Sequence, residues 1–105
     1  MPVLVRLRFL TEKPIGQVYG SHLHGVFFSM LPEEVGKELH AKNKKPFSLW
    51  LEEVKEREVS LVVGILEDSL FPALVHGYYF PREAIYLNGS ELKPKKPYGL
   101  KQLKA

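Results

Sequence analysis

The sequence predicts an α+β fold in which a four-stranded antiparallel sheet carries two helices on one of its faces. Three observations lead to this prediction. Residues 2–10 and 59–66 are rich in β-branched and apolar residues, as strands are. Residues 21–41 have apolar side chains at spacings of three and four, as amphipathic helices do. The predicted elements follow the order strand, helix, strand, strand, helix, strand, which is the split βαβ, or ferredoxin-like, arrangement.

The first predicted strand has one apolar face and one mixed face. Within residues 2–10, alternate residues from Val3 to Phe9 are apolar, whereas the intervening set includes Arg6 and Arg8. The next ten residues contain a proline and two glycines, so they are predicted to form a loop.

A proline interrupts the first helical region. Ser21 is a favourable N-cap residue, and apolar residues follow it at helical spacing. Pro32 suits the first turn of a new helix, where Glu33 and Glu34 also favour the helix N-terminus. The sequence therefore predicts two helical segments, or one kinked helix, ending near Ala41.

The second half of the chain is predicted to supply the central strand. Residues 59–66, VSLVVGIL, are almost continuously apolar, as a strand covered on both faces is. The other predicted elements are a short strand at 47–51, a polar connection at 52–58, a helix at 70–79 after the N-cap pair Asp68-Ser69, and strand residues on both sides of the Asn88-Gly89 turn. The whole chain, residues 1–105, is predicted to be one domain whose Pro- and Lys-rich tail from about residue 94 is loose.

Composition indicates a small globular domain of a reducing compartment. The chain has 105 residues, of which 45% are hydrophobic, so it can bury a core. It has no cysteine, which excludes a disulfide framework and a thiolate metal site. No apolar run approaches the roughly 20 residues that a membrane span needs, and the N-terminus lacks the features of a signal peptide. We therefore expect a cytoplasmic domain without membrane contact.

Positive charge is concentrated in two segments. The net charge is only +3, but residues 91–105 contain five lysines and one acid, and residues 42–45 read Lys-Asn-Lys-Lys. Such segments can meet a polyanion such as RNA. Lysine-rich segments also keep small proteins soluble, so charge alone leaves both interpretations open.

One histidine stands beside the first basic segment. His40 ends the predicted helical region, and Lys45 follows five residues later. Cleavage of RNA by its own 2′-hydroxyl needs a base, an acid and positive charge for the transition state. A histidine can serve as base or acid, and a lysine can stabilise the charge without a metal ion. The alternative is a surface histidine followed by a solvated basic turn.

The sequence predicts neither a metal site nor a cofactor. His22 and His24 are two residues apart, which separates their side chains by about 200° on a helix. Two histidines in this arrangement would need a third ligand from elsewhere. The eight glycines form no phosphate-binding motif.

The same segment resembles a known family. The stretch LHGVFFSMLPEEVGKELHAKNKKPFSLW, and above all its Leu39-His40 and Lys45-Pro46-Phe47-Ser48 motifs, is similar to the N-terminal half of the CRISPR-associated endoribonucleases that cut repeat RNA into guide RNAs. These enzymes belong to the RAMP superfamily. Further on, VSLVVGILEDSLFPALV and AIYLNGSELKP resemble the family's third strand, second helix and fourth strand. The resemblance covers nearly all of the chain.

The resemblance implies a metal-independent cut that leaves a 2′,3′-cyclic phosphate. His40 matches the family's catalytic histidine and Lys45 its catalytic lysine, and the tyrosine that some members carry in the first helix falls on Phe28. CRISPR repeat RNA is the implied partner. Its expected contacts follow from the distribution of positive charge and not from the resemblance: they are Arg6, Arg8, Lys42 and Lys44, with Lys45 and the C-terminal lysines, where the fold brings them together.

The chain departs from the family pattern in length. Family members usually carry two ferredoxin-like domains and a glycine-rich loop near the C-terminus, whereas this chain has one domain and no such loop. We therefore expect cleavage to need a second RAMP domain, or a second copy of the chain in a homo-oligomer. The alternative function is a non-catalytic module that binds RNA or protein through the same fold.

Overall fold

The computed structural model describes residues 3–42, 45–96 and 98–103. Within these ranges the chain forms three helices and six strands. In chain order they are β1 (Val3–Leu10), α1 (Gly20–Met30), α2 (Glu33–Ala41), β2 (Phe47–Val54), β3 (Glu58–Ile65), α3 (Leu70–Tyr79), β4 (Ile85–Leu87), β5 (Ser90–Pro94) and β6 (Leu100–Leu103).

The strands form one antiparallel sheet in the order β2-β3-β1-β5-β4, and β6 pairs with β1 beside β5. The α+β class and the antiparallel sheet agree with the sequence prediction, and β3 lies between β2 and β1 as expected of a central strand.

The structure differs from the predicted fold in the number of elements. The predicted plan has four strands and two helices because it counts the helical region up to Ala41 as one helix and the strand residues around Asn88-Gly89 as one strand. The described residues form six strands and three helices. The additional strands arise after residue 84, where β4 and β5 form a hairpin, and in the tail predicted to be loose, where Leu100 to Leu103 pair with Leu7 to Leu4 of β1. These strands are only three to five residues long, too short to show a clear period.

The β4–β5 hairpin follows from its two turn residues. Asn88 and Gly89 both have positive φ angles, 51° and 82°. A two-residue turn with positive φ at both positions matches the twist of the flanking strands, and Asn-Gly is the pair that adopts it most readily.

Successive side chains of β1 leave from opposite faces of the sheet. Val5, Leu7 and Phe9 are fully buried in the core. Arg6 and Arg8 lie between them, so their side chains leave from the opposite face. We call that opposite side the outer face. It also carries Lys101 and Trp50, which lie in the same row as Arg6 across the paired strands.

All three helices contribute to the core on the other side of the sheet. Their buried residues form one hydrophobic cluster with alternate residues of β1 and β3: Leu23, Val26, Phe27 and Met30 of α1, Leu39 of α2, and Leu70, Leu74 and Tyr78 of α3. Among the helices described, none is long and apolar enough to span a membrane.

Two backbone features set the positions of the helices. Pro32 separates α1 from α2 as the N-cap of α2, and Glu33 and Glu34 occupy the first turn of α2. The sequence prediction of two helical segments ending near Ala41 is therefore confirmed. Gly77 of α3 lies directly against the Met30 backbone at the end of α1, where a Cβ atom would overlap the Met30 carbonyl.

Candidate active site

His40 lies in the last turn of α2, with its side chain exposed. Its ring stacks on that of Phe28 from α1, with the ring centroids 4.3 Å apart and the planes 19° from parallel. Stacked aromatic rings at this separation attract one another by roughly 0.5–1.5 kcal/mol. The contact therefore favours the stacked orientation of the exposed imidazole.

Phe28 also contacts a second imidazole. The His24 ring lies 6.3 Å from the Phe28 ring, 25° from parallel. The two residues are four apart on α1, which places them on the same side of the helix. Phe47, the first residue of β2, makes T-shaped contacts with the rings of both His24 and Phe28. We call His24, Phe28, His40 and Phe47 the imidazole cluster.

Lys45 approaches the backbone of His40. Its ammonium nitrogen donates hydrogen bonds to the carbonyl oxygens of Leu39, at 2.6 Å, and His40, at 3.1 Å. These are among the last carbonyls of α2, which carry the partial negative charge of the helix C-terminus. The Leu39 carbonyl also accepts a hydrogen bond from the Lys42 backbone N–H at 3.2 Å. Lys45 therefore caps α2 and also places a positive charge next to His40.

The other cations near the end of α2 differ in their surroundings. Lys42 is half-buried, and its ammonium forms an ion pair with Glu67 at 3.2 Å. Lys44, a predicted RNA contact, lies outside the described residues.

Arg6 and Arg8 are remote from the imidazole cluster, because they lie on the outer face of the sheet. Arg6 forms a two-pronged ion pair with Glu52, with nitrogen–oxygen distances of 2.6 and 2.9 Å. These hydrogen bonds raise the pKa of Arg6 and lower that of the Glu52 carboxyl group. The Arg8 guanidinium has no ion pair with any described residue.

The structure thus brings His40 and Lys45 together, whereas Arg6 and Arg8 lie on the opposite face of the sheet. It adds His24, which sequence reasoning did not assign to the site, and Phe28, which sequence reasoning noted only as the position of the family's tyrosine. Their spacing of four on α1 was a usable signal, but nothing in the sequence shows that His40 of α2 packs on the same ring. Among the described residues no three His, Cys, Asp or Glu side chains are grouped as a metal ligand set.

Comparison with known proteins identifies the fold. No protein-family model matches the chain, and no curated protein matches it significantly. Solved structures do match. A Cas6 (TTHB231) product complex superimposes with a TM-score of 0.69 and 27% sequence identity over 89% of this chain. A Cas6 (TTHA0078) product complex gives a TM-score of 0.61 and 24% identity over 94% of this chain.

The chain therefore has the fold of the RAMP superfamily. Within that superfamily its fold is of the Cas6 type, which confirms the resemblance seen in the sequence. The likeness extends over only part of the solved proteins, since this chain spans 37% of the first and 43% of the second.

Proposed function

We propose that this chain is the RNA-cleaving domain of a Cas6-type endoribonuclease that binds CRISPR repeat RNA and cuts it without a metal ion. The observation that carries the proposal is the coincidence of two findings. The fold matches Cas6 product complexes over 89% of this chain, and an exposed His40 with an adjacent lysine ammonium lies at the end of α2.

The arrangement of elements supports an elaborated ferredoxin-like plan. The central strands β3 and β1 are flanked by β2 on one side and by β5 and β6 on the other. We infer that β5 and β6 together occupy the place of the fourth strand, and that α1 and α2 together replace the first helix. The β4–β5 hairpin is then an addition at the sheet edge.

The proposed reaction needs proton transfer at two oxygens. The 2′-hydroxyl oxygen bonds to phosphorus as it loses its proton to a base, and the bond to the 5′ oxygen breaks as that oxygen gains a proton from an acid. The products are a 2′,3′-cyclic phosphate and a 5′-hydroxyl. His40 would serve as one of the two groups. The Lys45 ammonium would stabilise the negative charge that builds up on the phosphate oxygens.

RNA contacts are proposed at Arg6, Arg8, Lys42 and Lys44. Of these, Arg8 is the cation best placed to bind a phosphate, because it has no ion pair with a described residue. Arg6 and Lys42 would first have to exchange Glu52 and Glu67 for the RNA. Since Arg6 and Arg8 lie on the outer face and His40 among the helices, one RNA touching both would have to pass around an edge of the sheet.

The short length of the chain bears on its partners. Because it spans less than half of either Cas6 structure, we propose that a second RAMP domain, or a second copy of this chain, completes the RNA-binding surface. Cleavage is then a property of the completed protein.

The test is cleavage of a hairpin RNA with the sequence of the CRISPR repeat from the source genome, in excess chelator. The chain should be assayed alone and together with its second domain. We expect a product ending in a 2′,3′-cyclic phosphate. His40→Ala should lower the single-turnover rate by about 10²–10⁴-fold while leaving RNA affinity at the same salt concentration nearly unchanged.

Lys45 requires a matched pair of variants because it also caps α2. Lys45→Met removes the charge and the cap, whereas Lys45→Arg keeps a cation there. Slow cleavage by Lys45→Met with a normal melting temperature supports a role of Lys45 in the reaction.

Two outcomes would contradict the proposal. Tight repeat binding without any cleavage by the completed protein would identify a non-catalytic RNA-binding module. Cleavage by His40→Ala at the parent rate would show that His40 is not part of the active site.

A further inference from the structure

A groove with a mostly apolar lining lies between the end of α1 and α3. Its lining includes Met30, Pro32, Ala73, His76, Phe80 and Arg82, and we call it the α3 groove. Its volume of about 440 Å³ falls within the range of roughly 300–1,000 Å³ that small-ligand sites occupy.

The α3 groove is separate from the imidazole cluster. Met30 lines the groove, whereas Phe28, which supports the imidazole cluster, lies two residues earlier on α1. Residues two apart point in directions about 200° apart around a helix. The groove and the imidazole cluster therefore lie on different sides of α1.

An exposed aromatic ring forms part of the groove. Phe80 is the C-cap of α3, and 68% of its surface is exposed. A single exposed apolar side chain is ordinary on a protein surface, but Phe80 is continuous with the apolar lining that Met30, Pro32 and Ala73 provide. The groove therefore presents a flat aromatic face on which a planar group such as a nucleobase can stack.

The charged groups around Phe80 favour an anionic ligand. His76 and Arg82 line the α3 groove, and among the described residues no acidic side chain does so. The Lys96 ammonium lies 5.8 Å from the centre of the Phe80 ring and forms no ion pair with any residue in the described ranges. Because that distance is close to the limit of about 6 Å for a cation–π contact, a base can take the place of the ammonium over the ring. The ammonium can then turn towards a phosphate.

We propose that the α3 groove binds one unpaired nucleotide of an RNA strand, an inference that rests on the proposed function. The base stacks on the Phe80 ring, and Lys96 and Arg82 contact the neighbouring phosphates. Arg82 donates a hydrogen bond to the Leu31 carbonyl at 3.1 Å, which holds its side chain beside the groove. Its ion pair with Glu83, at 3.7 Å between exposed side chains, is of the weak kind that a phosphate can replace.

A nucleotide suits these groups better than an apolar segment of a partner protein. An apolar segment would fill the groove but would leave the charges of Lys96 and Arg82 without a ligand, whereas a nucleotide supplies both a planar base and an anionic phosphate. Proteins that bind single strands combine aromatic rings under the bases with cations along the backbone. Because every base has a flat face, we expect the groove to accept any of the four.

The first measurement is the affinity of the full chain for a short oligouridylate, by fluorescence anisotropy at one salt concentration. Phe80→Ala should weaken binding by about 5–160-fold, the effect of losing one stacked base, with a melting temperature near that of the parent. Phe80→Trp keeps a stacking ring and should bind at least as tightly as the parent. Tyr86→Ala is the matched control, since it removes an aromatic ring that is 58% exposed outside the groove, and it should bind like the parent.

The second measurement tests the phosphate contact through the salt dependence of the same binding. Lys96→Gln should reduce the slope of log affinity against log salt concentration by about 0.7, the value for one phosphate contact on a single strand. Lys13→Gln removes the same charge at another exposed position and should leave the slope unchanged.

Parent-like affinity of Phe80→Ala, or a parent that does not bind the oligouridylate, would overturn the inference. So would a Phe80→Ala variant that no longer assembles with the second RAMP domain but binds RNA normally, because the groove would then be a protein interface. In each case cleavage of the repeat hairpin by the completed protein decides the proposed function separately. Oligouridylate binding that depends on Phe80, in a protein that does not cut the hairpin, would support the nucleotide site and overturn the proposed function.

Discussion

At the scale of single residues, the Phe28 ring is the shared support of the candidate site. Stacking at 4.3 Å orients the His40 imidazole, and such pairs contribute about 0.5–1.5 kcal/mol. Phe28→Leu keeps an apolar side chain at this half-buried position but removes the stacking surface. We expect the single-turnover cleavage rate to fall by about 2–12-fold, which corresponds to that energy, with little change in RNA affinity.

Tyr19 offers a matched control for this prediction, since its ring contacts another histidine, His22, at 5.4 Å. Tyr19→Leu changes the same kind of pair outside the imidazole cluster and should leave the rate unchanged. If the two variants slow cleavage equally, the Phe28 effect is one of general stability rather than of orienting His40.

The contacts of Lys45 and Arg6 show which features of the site the sequence does not predict. The sequence placed His40 and Lys45 near each other because both flank the end of one helix, and the structure agrees. It could not show that Lys45 would bond to the Leu39 and His40 carbonyls, or that Arg6 would pair with Glu52, 46 residues away. Such contacts depend on tertiary packing, which brings together residues with no local pattern in common.

At the scale of elements, the close crossing of α1 and α3 depends on one glycine. A Cβ at Gly77 would overlap the Met30 carbonyl oxygen, which belongs to the backbone and cannot rotate away. Alanine favours a helix over glycine by about 1 kcal/mol, whereas overpacking costs roughly 1–3 kcal/mol. We expect the overlap to outweigh the helix preference, so Gly77→Ala should lower the free energy of unfolding measured with urea.

Gly25 of α1 provides the opposite case for the same substitution. A Cβ there meets nothing within 4 Å, so only the helix preference changes. Gly25→Ala should therefore stabilise the chain by up to about 1 kcal/mol. An equal gain in stability for Gly77→Ala would show that α1 and α3 do not pack as closely as the structure places them.

The elements that the sequence predicted correctly are those with strong periodic patterns. These patterns are local: the alternation in β1 and the apolar run of β3 each extend over several residues, and a proline separates α1 from α2. The Asn88-Gly89 turn also predicted strand residues on both of its sides, where β4 and β5 form a hairpin. β6 has no such local signal, because it becomes a strand only by pairing with β1.

At the scale of the whole molecule, Tyr78 links parts of the chain that are distant in sequence. Its fully buried ring packs against Phe9, and its hydroxyl donates a hydrogen bond to the Arg8 carbonyl and accepts one from the Lys95 backbone at 3.1 Å. One side chain thereby joins α3, β1 and the segment between β5 and β6. Because of these contacts, the protonation state of Tyr78 affects the stability of the entire fold.

Burial raises the pKa of Tyr78 from 10.0 to about 12. The folded chain therefore holds this proton more tightly than the unfolded chain. The resulting contribution to stability is complete below pH 10 and is lost as the pH rises from about 10 to about 12, with a slope of about 1.4 kcal/mol per pH unit.

Lysines also titrate in this range, so the measurement is the difference between two proteins: the urea unfolding free energy of the parent and of Tyr78→Phe, from pH 8 to pH 12. Tyr78→Phe should be less stable near pH 8, by about 1 kcal/mol for the hydrogen bonds it loses, but should lose less stability as the pH rises. Tyr86→Phe, at an exposed position, should follow the parent at every pH. Parallel curves for the parent and Tyr78→Phe would mean that the Tyr78 hydroxyl is not held inside the fold.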